Sequence, residues 1–505
     1  MESRLKLFYL LVSGLCLFAS CATAQSNSID PRTALAAACI APSDKTGGLE
    51  FTADSSYIQL SSAGDNAYAS IDGERMKGLV EEQAGIARRY REAGNQYWGR
   101  IIGTSADHET ADWMMDQLRQ SGVENIRLDT IALPAQWLPR SWGLAVEVDG
   151  RATMLTSAWP AYGSVGTSST GETLELIDVG LGMATDFKGR DVRGKAVILH
   201  SIATSSTVFN SVRRIGALER AEEQGAAAIF IVLELPGNLQ TAFYDVGTSV
   251  PTFSIGSEDG VLLQRLLTDS ALTDSVEIQI KMEVDSLEGL NTSSVRGEVL
   301  AATPDAEKIV IVAHRDAYFE GAADNASGVA TALELMRYFA QIPQSERKRT
   351  IEIIGTPGHH NIVRTGFSWL YENRESILDN AVLLINAEHT AHALIDRFGD
   401  ELCTTNSTGP FSWQINGSNT LAEITLKTFD EFGIPRWAET GGPVGEIRTI
   451  ADLVPSIVLM HAGVLLHTNI ETTEAIPAAS LAATTRAYAK IIERVSGMGL
   501  SELTQ

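Results

Sequence analysis

The sequence predicts an α/β protein: a three-layer α/β/α sandwich around a mixed, mostly parallel sheet, interrupted by a smaller α/β insertion. Three observations lead there. Between residues 291 and 497, short apolar and β-branched runs alternate with segments of helical periodicity, the pattern of strands and the helices that cover them. Several of those runs end on His, Asp or Glu, at the carboxyl ends of strands where open α/β sheets build their sites. A separate block, 150–285, repeats the alternation on a smaller scale.

The chain has 505 residues, room for two or three domains, and its 44% hydrophobic and 20% charged content is that of a globular protein. A net charge of −24 argues against a nucleic-acid partner. It names no substrate, since high negative charge also serves solubility.

Taken in order, Arg4 and Lys6 precede an apolar run, Leu7 to Phe18, and then Ala22-Thr23-Ala24. This is the pattern of a secretory signal peptide over 1–24, with Gln25 as the mature start. The run is too short to span a bilayer, and no other stretch has the required length, so no integral membrane span is expected. The expected location is secreted or periplasmic. A lipoprotein anchored through Cys21, which follows Phe18-Ala19-Ser20, is the lesser alternative. The mature chain keeps Cys39 and Cys403, whose pairing spacing alone does not decide. Asn291, Asn406 and Asn416 stand in glycosylation sequons, which matter only in a host that glycosylates.

Residues 25–75, rich in Ser, Ala, Gly and Asp, read as an N-terminal arm. Residues 76–149 form the first part of the main domain. They hold a charged helix over Glu82 to Arg91, and a second helix capped by Asp107 with Ala111, Met114 and Leu118 on one face and Gly122 at its end. A strand at Asn125 to Leu128 follows. In the 150–285 block, strands are expected at Gly194 to Leu199, Ala228 to Leu233 and Val250 to Ile255, with helices at Ile215 to Gln224 and Val261 to Leu267. Nothing in this block clusters metal ligands or nucleophiles.

The second part of the main domain, 286–497, carries strands at Ser294 to Leu300, Ile309 to Ala313, Thr350 to Ile354, Ala381 to Ile385 and Ser456 to Met460. The organising stretch follows Lys308. Its strand delivers His314, Asp316 and, after a short loop, Asp324, before a helix with Val329, Leu333, Met336 and Ala340 on one face. One His and two Asp at such an edge suit a metal ion, although a loop with a chance histidine would read the same way. Seven of the nine histidines fall between His314 and His467, several of them at strand ends, which favours the metal.

The order GKAVIL, a helix ending in GAAAIFIV, then VPTFSI and a short helix resembles the protease-associated domain. That resemblance implies an inserted lid or substrate-shaping unit. The motifs HRDAYFEGAADNASG, Asn386-Ala387-Glu388 and HTNIETTEAI from His467 resemble, over about residues 80–497, the co-catalytic zinc exopeptidases, the aminopeptidases and glutamate carboxypeptidases. The resemblance implies one or two zinc ions and a peptide or small amide substrate. It implies His314, Asp324 and Glu388 on one ion, and Asp324, residue 360 and His467 on the other. Asp316 would orient the His314 ring as a supporting carboxylate.

The chain departs from that family where a Glu-Glu pair supplies the general base and a ligand: here stand His359 and His360. It also has Leu466 where glutamate carboxypeptidase-like members have a Tyr that polarises the scissile carbonyl. Zinc accepts imidazole as readily as carboxylate, so His360 remains a candidate ligand. His359 becomes a candidate base, or else a further ligand. Three readings follow: a zinc exopeptidase with a His base, a catalytically impaired member that binds metal or peptide, and a different metal-assisted reaction such as acyl transfer. Glu439 and Glu446 read as solvated loop carboxylates, and His389, His392 and His461 as structural.

Overall fold

A computed structural model describes residues 39–40 and 66–504, apart from 149, 204–210, 244–246, 271–274, 362–364, 399–400 and 462. The expected leader, Cys21, the start at Gln25 and most of the arm lie outside the described residues.

The main sheet has eight strands: β1 (Glu124–Ala132), β2 (Asn291–Val299), β3 (Lys308–His314), β4 (Thr350–Thr356), β5 (Ala381–Ala387), β6 (Phe411–Asn416), β7 (Arg436–Glu439) and β8 (Ser456–Met460). Their order across the sheet is β7-β6-β8-β5-β3-β4-β2-β1. The inner four, β8-β5-β3-β4, are parallel, whereas β6 runs antiparallel to β8 and β2 antiparallel to β4 and β1. All five strands expected in 286–497 are present, within a few residues of their expected ends.

Both faces of β3 are covered, which is why its sequence is a continuous apolar run and not an alternation. Ile309, Ile311 and Ala313 face one core, with α1 (Gly73–Glu92), α2 (Ser105–Gln120), α3 (Gly328–Ala340) and α4 (Ala478–Val495). Val310 and Val312 face the other, with Trp369, Leu370 and Ile377. Asp72 caps α1 by accepting from the Glu74 amide at 2.9 Å. Contrary to the expectation from sequence, Asp107 does not cap α2; Thr104 is the N-cap. Asp107 lies inside the first turn, accepts from the Gly103 amide at 2.8 Å and pairs with the buried Arg315 guanidinium. The buried Arg315 guanidinium thus holds the carboxylate inward.

A second eight-stranded sheet draws its strands from Gln136 to Leu287. Its strands Ala196–Ser201, Ala228–Leu233 and Thr252–Ile255, and the helices Ala217–Glu223 and Ser257–Ser270 beside them, lie within a few residues of the expected elements. The long antiparallel pair Gln136–Val148 and Glu277–Leu287 carries the chain into and out of it, so the sheet begins before residue 150, where the insertion was expected to start. In a small third sheet, Cys39 stands directly opposite Cys403 in antiparallel register. Among the described residues no helix is long and apolar enough to cross a membrane.

Candidate metal centre

The four parallel strands end along one edge, and each ends in or next to a ligand-bearing segment. β3 ends on His314; the turn after β4 carries His359 and His360; Glu388 and His389 follow β5; and His467 lies on the loop beyond β8. Asn325 ties these ends together. Its side-chain amide donates to the His314 and Ala387 carbonyls at 3.2 and 3.1 Å, and its oxygen accepts from the Gly328 and His389 amides. Gly328 is required at the start of α3, because a Cβ there would lie 2.1 Å from the Ala387 carbonyl oxygen.

Asp324 is the centre of the cluster. His314 Nε2 and His389 Nε2 lie 3.2 and 3.1 Å from Oδ1, while His360 Nε2 and His467 Nε2 lie 3.1 and 2.8 Å from Oδ2. Glu388 Oε1 stands 4.0 Å from His314 Nε2 and 3.9 Å from His389 Nε2. All of these side chains are buried. Three buried atoms make no hydrogen bond: His314 Nε2, Asp324 Oδ1 and His389 Nε2. An unpaired buried polar atom is costly, and three converging on one point suit a shared cation. The groupings His314–Glu388–His389 and Asp324–His360–His467 each bring their ligand atoms within 4.8 Å of one another. Imidazole with carboxylate is a donor set zinc accepts, so the residues present fit zinc. The five expected metal-site residues, His314, Asp324, His360, Glu388 and His467, meet here.

The electrostatics follow from burial and from that central carboxylate. Burial opposes charge on His360, but Asp324 and Asp316 outweigh it and raise its pKa to about 9. Burial dominates at His467, with Asp324 opposing, and lowers its pKa to about 4. Burial disfavours the Asp324 anion, yet His360 and His389 hold its pKa well below the usual carboxylate value.

Asp316 serves more than the His314 ring. Its carboxylate accepts the His359 and His360 amides, both at 2.9 Å, and lies 3.1 Å from His360 Nδ1. His314 Nδ1 is farther, 3.3 Å from the Asp316 carbonyl and 3.4 Å from its carboxylate. The role expected for Asp316 is therefore shifted toward His360 and its turn, because the turn after β4 folds directly onto this carboxylate.

His359 is not beside Asp324. Its ring stacks on His314, with centroids 4.1 Å apart, and its Nδ1 lies 2.7 Å from Glu446 Oε2. Glu446 was expected in a solvated loop and is instead fully buried. Its other oxygen accepts from the Thr356 hydroxyl at 2.6 Å, and its amide donates to Glu388 at 2.7 Å. Gly445, at φ +72°, allows this approach, since a Cβ there would meet the Asn386 side chain at 2.2 Å. Burial moves the partners oppositely: Glu446 well above its ordinary pKa, His359 well below. Glu439 is exposed, as expected.

His389 was also expected to be structural; the chain instead turns it, at φ +47°, onto Asp324, with its Nδ1 2.9 Å from the His461 carbonyl oxygen. Its place directly after Glu388 was the signal available in the sequence. His392 and His461 sit apart from Asp324 and bond the Ala393 and Pro410 carbonyls. Glu471, which the sequence reading did not single out, accepts from the Ala323 and Asp324 amides at 3.0 and 2.7 Å and from the His467 amide at 2.8 Å. Burial, then the Asp324 charge, raise its pKa to about 8.

Residues 295–392 match the model of Peptidase family M28. Carboxypeptidase Q of Rattus norvegicus is 22% identical over 296 residues, 57% of this chain and 61% of the relative. Aminopeptidase YwaD of Bacillus subtilis is 26% identical over 259 residues, 50% of each chain. The chain thus spans between half and three-fifths of these curated relatives. Among solved structures, a zinc aminopeptidase from Bacillus subtilis superposes with a TM-score of 0.61 at 17% identity, over 86% of this chain and 98% of that one. A peptidase M28 precursor from Shewanella amazonensis gives 0.64 at 17% identity, over 86% and 99%. At that identity the likeness is one of fold.

Proposed function

We propose that this chain is an exported, zinc-dependent exopeptidase of the M28 type, hydrolysing a peptide bond near a chain terminus. The observation that carries the reading is Asp324, buried with two imidazoles on each carboxylate oxygen, inside a centre whose β3–β5 segments lie in the M28-matched span. In this reading His314, Asp324 and Glu388, joined by His389, would hold one zinc, and Asp324, His360 and His467 would hold the second. Bound there, the ions would supply Lewis acidity and a water acidified toward neutral pH.

The protein's own groups do the rest. Asp316 aims His360 through Nδ1 and fixes the turn through two amides. His359 takes a proton at Nε2 from the attacking water and returns it to the leaving amine, while Glu446, as the carboxylate that the nearby zinc charge would favour over its buried neutral form, accepts the Nδ1 hydrogen and leaves Nε2 free. Burial and the neighbouring imidazoles keep His359 neutral, the form a base requires. The second sheet, read as a protease-associated insertion, shapes access for the peptide.

The test is turnover of N-terminally and C-terminally free peptide libraries by the zinc-loaded full chain, with Asp324→Ala as control. Release of single terminal residues, lost in the control, is the expected result. Two bound zincs with no turnover of any library would overturn it in favour of a non-hydrolytic metal or peptide binder. A product of cyclised or acyl-transferred mass would instead assign a different reaction to the same centre.

A further inference from the structure

The loop that carries His467 belongs structurally to the insertion as much as to the main domain. Leu465 and Ile470, on either side of the histidine, lie in the same buried cluster as Leu199 and Ile231 of the second sheet. A strap of the insertion, Gln240 to Ala242, runs antiparallel to the loop, with Thr241 bridged to Thr468. The Ala242 amide donates to the His467 carbonyl at 2.8 Å, the Asn469 amide to the Gln240 carbonyl at 3.0 Å, and the Gln240 amide to Asn469 Oδ1 at 3.1 Å. The strap is itself anchored in the insertion, where the Ser254 hydroxyl donates to the Thr241 carbonyl.

His467 has φ +61°, a left-handed conformation that a non-glycine residue keeps only where its surroundings impose it. Both of its main-chain groups are held. The amide is fixed from the main domain by Glu471, and the carbonyl from the insertion by Ala242. With the main chain fixed at both ends, the side chain leaves the loop toward Asp324 Oδ2, at 2.8 Å.

We infer that the insertion is a working part of the second cation position: its 240–242 strap sets the backbone of His467, and Ala242 and Asn469 are positioning residues for metal binding. The inference rests on the two-zinc reading of the centre. It differs from a lid role, in which removing strap contacts alters substrate binding and leaves the ions alone. Groups that orient a metal ligand typically contribute about 10–100-fold to metal affinity.

The experiment measures stepwise zinc affinity of the full chain by competition with a chelating dye, and the visible spectrum of the cobalt-substituted protein. Ala242→Pro removes the donor to His467; Ala242→Gly keeps it. Asn469→Ala removes the acceptor for Gln240, Asn469→Asp keeps it, and this pair decides the matter where the proline variant does not fold. The expected result is about 10–100-fold weaker second-ion binding in Ala242→Pro and Asn469→Ala. First-ion binding and the metal-free melting temperature stay unchanged, the cobalt spectrum of the second ion changes, and the Gly and Asp variants are restored. Wild-type affinities in both disruptive variants, with only KM altered, overturn the inference. So does parallel loss of both ions with a lowered metal-free melting temperature. A wild-type chain that takes up no second ion overturns the two-zinc reading itself, and this inference with it.

Discussion

His359 and Glu446, 87 residues apart in the chain, meet with Nδ1 2.7 Å from Oε2. In the proposed mechanism this contact backs the His359 imidazole with a buried Glu446 from another loop. His359→Ala is expected to leave both zincs bound and to lower kcat by about 10²- to 10⁴-fold with little change in KM. Glu446→Gln keeps the shape and removes the carboxylate, and is expected to lower kcat by less than His359→Ala. Steady-state kinetics with zinc counted by mass spectrometry checks both. A His359→Ala enzyme that turns over like wild type assigns the proton transfer elsewhere.

The two ion positions are expected to separate under mutation. His360→Ala leaves only Asp324 and His467 at the second position, so one zinc per chain should remain after dialysis. His389→Ala leaves His314, Asp324 and Glu388 at the first, which should weaken while the second survives. Chelation of both ions removes the cations that suit the unpaired His314, Asp324 and His389 atoms, and lowers the melting temperature. Zinc stoichiometry and calorimetry of the two variants check this; equal loss of both ions in either variant would contradict the assignment.

At the second sheet, His200 is buried with Nδ1 2.7 Å from Glu234 and Nε2 3.1 Å from Asp178. Burial works against its charge, but the two carboxylates outweigh it and raise its pKa from 6.5 to about 9. A folded-state pKa above the unfolded value stabilises the fold fully below pH 6.5, and that contribution fades as pH rises from 6.5 through 9. Relative to His200→Gln, the wild type should gain about 1–2 kcal/mol below pH 6.5, after allowance for solvent around the carboxylates, and nothing above pH 9. Denaturant melts of both proteins across that range, in one metal state, measure it. A difference that does not vary with pH would refute the charged pairing.

On the main sheet, Glu352 is fully buried, pairs with Arg296, and lies 3.0 Å from Lys308. Glu352→Ala leaves the buried Arg296 guanidinium with Asp129, 3.5 Å away, as a remaining carboxylate and is expected to cost about 3 kcal/mol, the low end for a broken buried pair. The replacement Arg296→Met with Glu352→Leu, which removes both charges, should recover most of it. Urea unfolding of the single and double variants tests this, and a single variant within about 0.5 kcal/mol of wild type, the range of an ordinary surface change, would show the pair to be inconsequential.

What the sequence determined by itself was the set of local patterns. Continuous apolar runs such as Ile309 to Val312 signal strands buried on both faces, and polar residues directly after them name the candidates at the sheet edge. His314, Asp324, His360, Glu388 and His467 were singled out because each follows a strand or sits in a motif of the family the chain resembles, and the structure brings them together. The tertiary structure decided what no local pattern carries. Glu446 stands in a glycine-rich loop that reads as solvated, and only the docking of that loop against Thr356, His359 and Glu388 buries it. His389 carries no period, and a left-handed turn is what aims it at Asp324. Glu471 holds the Asp324 amide from 147 residues away, and the strap at Ala242, tied to the second sheet through Ser254, holds the His467 carbonyl. Periodicity reports how a residue meets its own strand or helix. Which distant loops share one small buried volume is set by packing between elements, and hydrogen bonds form there because polar groups brought together out of water must find partners in one another.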